Sequence, residues 1–217
     1  MAPEAGSLRF PERPPGFVPR RVFLFSGHRV DAVDRPRPRF PPSAVPAAAA
    51  RIAAVLAREE AGADDLALAQ AASGGDLLFL EAARARGLCL RVMLPFDEDA
   101  FLRCSVLSSA GGEEWLARYR ALCAALAVAP LIATAPEVAM SPALIAHADP
   151  FERCNLWLLE TARQWGDARV RFICLWDGAT GDGPGGTAMM RDAVVRAGGD
   201  CVWIDVRTLT EAADTSG

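Results

Sequence analysis

Apolar runs of four to seven residues, alternating with stretches of helical periodicity, predict an α/β protein. The expected architecture is a Rossmann-like, doubly wound, mainly parallel sheet with helices on both faces. Strands buried on both sides read as unbroken apolar segments rather than as alternating ones. Two glycine-rich turns, each between such a run and a helical stretch, strengthen the expectation. That is how open parallel sheets place backbone N–H groups and helix N-termini at their carboxyl edge.

The elements follow in order. Residues 1–20 carry Pro3, Pro11, Pro14, Pro15 and Pro19, a density that opposes helix and central strand alike, and are read as a tail or surface strap. Residues 21–25 form the first strand, ending at Ser26, Gly27, His28 and Arg29, and a proline-rich stretch over 35–46 leads into an alanine-rich helix over 47–61. A second strand covers 66–72, Ser73, Gly74, Gly75 and Asp76 make the turn, and 77–86 the helix. A third strand at 88–94 is halted by Pro95; helices follow at 97–104 and 113–126, the latter with an acidic first turn that suits the helix dipole. A short strand at 131–134, an amphipathic helix at 151–165, a strand at 170–176, a helix at 187–197 and a last strand at 201–205 complete the domain. The folded unit is therefore expected over 21–206, with 207–217 a polar, fraying tail.

Composition narrows function by exclusion. A chain of 217 residues, 52% hydrophobic, has material for one sizeable core. All 23 basic side chains are arginine, in the manner of a GC-rich, bacterial coding sequence. Without lysine, Schiff-base, pyridoxal-phosphate and Walker-type P-loop chemistries are excluded. A net charge of −4 opposes non-specific nucleic-acid binding, and single-stranded DNA handling would rest on Arg35, Arg37, Arg39 and Phe40 alone. The six cysteines lack C-x-x-C spacing and read as buried thiols of a reducing cytoplasm. With only His28 and His147 beside them no metal site is expected, and no run reaches the ~18 apolar residues of a membrane span.

The turns supply the candidate ligand residues. Ser26, Gly27, His28 and Arg29 follow the first strand; His28 suits a hydrogen bond to phosphate or base, a general acid titrating near neutrality, or a turn histidine at the surface, and Arg29 a phosphate clamp or a solvated surface. Asp76 reads equally as a helix cap and as a ribose ligand. The late loop holds Asp177, either a turn residue or a ribose contact, and then Gly185, Gly186 and Thr187, a backbone anion site at a helix start. His147 sits among small residues and reads as structural. The first strand is not followed by Gly-x-Gly-x-x-Gly, which disfavours a nicotinamide dehydrogenase.

This order of motifs resembles the SLOG superfamily, which includes DprA-type DNA-processing proteins and the LOG phosphoribohydrolases. The resemblance spans about residues 21–205: strand plus Ser26-Gly27-His28-Arg29, strand plus Gly74-Gly75-Asp76, a helix bearing Arg153 and Asn155, and strand plus Trp176-Asp177-Gly178 with Gly185-Gly186-Thr187. It implies a nucleotide or nucleotide-derived ligand, its phosphate and sugar held by the glycine turns and contacted by the Arg153 and Asn155 helix. LOG enzymes carry Pro-Gly-Gly-x-Gly-Thr-x-x-Glu, whose glutamate takes part in N-glycosidic cleavage. Here Pro184-Gly185-Gly186-Thr187 runs into Ala188, Met189, Met190 and Arg191, without one glycine and the glutamate. Glu81 is the best substitute carboxylate. The expectation is a ligand-sensing or regulatory module with no cofactor beyond its nucleotide-type ligand; the alternative is a phosphoribohydrolase acting on nucleoside monophosphates. A protein effector and a homo-oligomer stay open as partners.

Overall fold

A computed structural model describes residues 17–135, 138, 140–146, 149–179 and 186–209. Strands β1 (Val22–Gly27), β2 (Leu66–Ala69), β3 (Cys89–Leu94), β4 (Leu131–Ile132), β5 (Val170–Trp176) and β6 (Asp200–Asp205) form one sheet in the order β4-β3-β2-β1-β5-β6. Every pairing is parallel. Helices α1 (Val45–Arg58), α2 (Gly75–Ala85), α3 (Glu98–Ser105), α4 (Gly112–Cys123), α5 (Pro142–Ile145), α6 (Pro150–Arg163) and α7 (Thr187–Arg196) connect them. The doubly wound α/β reading of the sequence is thus met.

Alternate residues of each strand feed two cores, as a period of two requires. Phe23, Phe25, Ala67, Ala69, Val92, Leu94, Ile173 and Leu175 pack under α1, α2, α3 and α4, which bring Ile52, Leu56, Leu77, Phe79, Phe101 and Tyr119. On the opposite face Val22, Leu24, Leu68, Met93, Phe172 and Cys174 pack under α6 and α7, which bring Trp157, Leu158, Met190 and Val194. Phe25 and Phe79 stack with centroids 4.9 Å apart, joining the central strand to α2. No helix among the described residues is long and apolar enough to cross a membrane.

Some boundaries differ from the sequence reading, for physical reasons. β2 stops at Ala69, because Ala71 adopts a positive φ of 71° and Ala72 turns its N–H to the Asp76 carboxylate. The helix after the turn begins at Gly75 rather than at 77. At the chain end, Val206 and Leu209 pack into the α1 to α4 core, so the folded unit continues past 206 into the expected tail. At the other end, Arg20 donates its backbone N–H to Asp64, and Pro19 accepts from the Arg169 side chain.

Beneath the amino edge of the sheet Asp65, its side chain wholly buried, binds both Arg20 and Arg21. Arg20 Nη2 and Arg21 Nη2 lie 2.9 and 3.0 Å from Oδ2, and the Gly62 N–H donates to the same oxygen at 3.0 Å. Burial alone would raise the Asp65 pKa; hydrogen bonds from Arg20, Arg21 and Gly62 outweigh it and hold the carboxyl below its ordinary value. A depressed folded pKa adds stability that is fully present above the unfolded value of about 3.9 and is lost as pH falls through the folded pKa. Asp65→Asn should therefore cost about 1–2 kcal/mol at pH 7, less than a fully buried pair because solvent screens the half-exposed Arg20. Urea denaturation at pH 7 and pH 2 checks this: the gap between wild type and variant should shrink at pH 2.

Candidate functional site

The strand order reverses beside β1. After β1 the chain runs through β2, β3 and β4 to one side, and only β5 and β6 fill the other. The continuations of β1 and β5 therefore part at their carboxyl ends, where open α/β sheets bind ligands. A cleft of about 540 Å³ lies there. Its lining includes Ser26, Gly27, His28 and Arg29 after β1, Gln70 and Ala72 after β2, and Asp76 of α2. Ser105, Ser108 and Ser109 come from the end of α3 and the loop beyond, Asp149, Phe151 and Asn155 from the start of α6, and Trp176, Gly186 and Thr187 from the β5 to α7 connection.

One wall is the loop between β1 and α1. Asp31 organises it: Oδ2 accepts the backbone N–H groups of Arg39 and Phe40, both at 2.9 Å, while Oδ1 meets Arg35 Nε at 3.3 Å. Phe40 is thereby inserted fully into the core, and Arg39 is aimed across the cleft mouth. There Arg39 grips Asp177 with two bonds, Nε to Oδ2 at 2.7 Å and Nη2 to Oδ1 at 3.0 Å. Such a fork-to-fork pair is directional and joins the β1 loop to the β5 loop.

Asp177 is consumed by this clamp. Burial works to raise its pKa, but Arg39, the Ala179 N–H and His28 hold the carboxyl far below the usual carboxylate range. His28 Nε2 lies 3.2 Å from both the Asp177 backbone nitrogen and the Asp177 Oδ1. Burial first, then the Arg39 charge, lowers the His28 pKa despite Asp177 nearby. His28 is therefore a neutral group on the cleft wall, unsuited to hold a phosphate as a cation.

The first glycine turn departs from the sequence reading. Ser73 donates its N–H to Ser105, Gly75 donates its own to the His28 carbonyl, and none of Ser73, Gly74 and Gly75 lines the cleft. Gly74, at φ 85°, lies so close that a Cβ there would stand 2.8 Å from the Val30 nitrogen. These glycines serve close packing of turn against loop, rather than an open anion cradle. Asp76 does reach the cleft, with its carboxylate accepting the Ala72 N–H at 3.2 Å.

The remaining expected residues separate. Glu81 does not line the cleft: it pairs through both carboxylate oxygens with Arg118 of α4, which also lies over the Trp115 ring. The helical phase of α2 turns it toward α4, so it is not the substitute carboxylate. Arg153 lies outside the cleft, one position before the buried Cys154, whereas Asn155 lines it and accepts a 2.7 Å hydrogen bond from Gln70 Nε2. Gly186 caps α7, and the Thr187 hydroxyl lies 3.2 Å from that of Ser26. Gly185 and His147 fall outside the described residues.

Neither a family model nor any curated protein matches this chain. The cleft itself is left to carry the functional reading, and its helix ends differ in a useful way. α2 and α6 both reach it with an aspartate at the N-terminus, Asp76 and Asp149, the latter accepting the Glu152 N–H at 2.8 Å. α7 has no acidic residue in its first turn and no side-chain cap. Its orphan N–H groups and dipole favour an anion. Among the described residues there is no cluster of three or more His, Cys, Asp or Glu able to hold a metal ion.

Sequence reasoning had singled out Arg35 and Arg39 only as a basic stretch, and missed Asp31, Gln70, Ser105, Ser108, Ser109, Asp149 and Phe151. Arg39 and Asp177 meet across 138 positions, a separation that no local spacing signals. Because Arg39 depresses the His28 pKa, Arg39→Gln should raise it. Proton NMR of the imidazole should show the His28 midpoint moving upward in the variant; an unmoved or lower midpoint would contradict this electrostatic account.

Proposed function

We propose that the cleft binds a nucleotide or nucleotide-derived ligand and that the chain acts as a ligand-sensing or regulatory module. One observation carries this reading: the uncapped N-terminus of α7, with the Ser26 and Thr187 hydroxyls beside it, opens into the same cleft as Phe151, Trp176 and the Gln70–Asn155 amide pair. The first group suits a phosphate. The aromatic and amide groups suit a planar base that stacks and exchanges hydrogen bonds. The resemblance to SLOG proteins points the same way, with the phosphate assigned to the second glycine turn rather than the first, whose Ser73 and Gly75 amides are engaged inside the protein. A protein effector that reads the occupied cleft would complete the signalling role.

The test is calorimetric titration with nucleoside mono-, di- and triphosphates and cyclic nucleotides, beside the Gly186→Leu variant. Gly186 has φ −75°, which any residue adopts, so the substitution adds bulk at the α7 N-terminus without backbone strain. Affinity should fall at least about tenfold with the melting temperature little changed. Unchanged affinity in the folded variant would remove the α7 site.

A second reading, N-glycosidic cleavage of nucleoside monophosphates, draws support from Asp76, a buried carboxyl at the cleft with a pKa raised to about 7 by burial. Glu81, tied to Arg118, offers it none. The sensor reading expects chromatography to find no free base above the uncatalysed background. Rapid base release that disappears in Asp76→Asn would establish the enzyme instead.

A further inference from the structure

Asp76 is a buried carboxyl, 7% exposed, that forms no ion pair within 4 Å among the described residues. Ion pairs or metal ions ordinarily accompany a buried charge. Its hydrogen bonds come from backbone N–H groups at the end of β2, those of Ala72 and Gln70. The backbone that delivers them passes through Ala71 at φ 71°, a conformation costly for a residue with a Cβ, so the surrounding fold holds this geometry against local preference.

The charges facing Asp76 are few. From the loop after β1 comes Arg29, whose guanidinium donates to the Cys104 carbonyl and the Ser108 hydroxyl and meets no carboxylate among the described residues. From α6 comes Cys154, a neutral thiol whose pKa burial first, and then Asp76, pushes well above the ordinary thiol value. The α3 side of the cleft contributes Ser105, Ser108 and Ser109, none of which titrates near neutrality. The other charged groups of the lining are already engaged: Asp31 with Arg35, Arg39 with Asp177, and Asp149 with the Glu152 N–H. His28 is neutral in the same pH range.

We infer that the cleft takes up an anionic ligand together with a proton, Arg29 pairing with the anion and Asp76 holding the proton. This deepens the ligand-binding reading and rests on it. Arg29 is the cation that favours ionised Asp76. An anion seated on Arg29 cancels that influence and adds negative charge beside a buried carboxyl, and both effects favour the neutral acid. Burial already brings this group to about 7, so uptake falls in the physiological range. Binding confined to the protonated form weakens about tenfold per pH unit above about pH 8.

Carbon-13 NMR of aspartate-labelled protein, with the Asp76 carboxyl assigned from its own backbone, tests this without relying on any variant. Sulfate and cyclic AMP are suitable anions because neither titrates between pH 5 and 9. The Asp76 midpoint should lie near neutrality in the free protein and rise when sulfate is added, and Arg29→Gln should abolish the rise. A midpoint in the ordinary carboxylate range, or one that saturating sulfate leaves in place, overturns the inference. Calorimetry with cyclic AMP then separates the two ideas. Binding whose affinity is flat from pH 6 to 9 overturns the proton coupling while sustaining the ligand site. Absence of binding by any nucleotide, with the sulfate response intact, overturns the nucleotide reading while sustaining the coupling.

Discussion

Two neighbouring parallel strands, β1 and β5, send their chains to opposite faces of the sheet, and the site follows from that divergence. From β1 the chain goes to α1, whose apolar side joins the core built on Phe23 and Phe25; from β5 it goes to α7, whose Met190 and Val194 join the core built on Val22 and Leu24. A space is left that neither connection can fill, bounded by polar loop backbone. Close packing of the strands below makes it stable: β1 and β5 stay in register from Val22 opposite Val170 to Gly27 opposite Leu175.

The divergence also creates a difficulty, because two loops that part must still be held at a fixed distance for a ligand to meet a shaped wall. Asp31 and Asp177 meet it together. The first folds the β1 loop by accepting two of its amides and inserts Phe40 beside Gly74; the second closes the gap by gripping Arg39. Behind the β5 loop Trp203 Nε1 donates to the Trp176 carbonyl at 2.9 Å, while Trp176 Nε1 donates to Ala179 at 2.8 Å. A wall pre-organised in this way loses little conformational freedom when a ligand arrives.

The fold was legible in the sequence because its signal is local. Unbroken apolar runs such as residues 172–176 fit strands covered on both faces. The site was legible only where a residue's position in the topology decides its place, as for Ser26, His28, Asp76 and Thr187 at the carboxyl edge. It failed where a partner distant in sequence decides. Gly74 and Gly75 carry the composition of a phosphate cradle, but the amide of Gly75 is claimed by the His28 carbonyl, through a loop whose path depends on Asp31 and Phe40. Glu81 failed through helical phase, since one side of α2 faces the cleft and another faces Arg118.

The absence of lysine has a consequence inside the site. Arginine does not titrate under any physiological condition, so Arg29, Arg35 and Arg39 present fixed charges to the cleft. Asp31 is matched by Arg35 and Asp177 by Arg39, and burial together with Arg39 keeps His28 neutral. Among the described residues Asp149 and Asp76 are the lining carboxyls with backbone hydrogen bonds but no ion pair, and the buried one is Asp76. Placing an arginine against it would fix its charge, at the gain of a matched pair. The Arg29 guanidinium is turned instead to the Cys104 carbonyl and Ser108, and its charge favours the ionised form of Asp76 without an ion pair between them.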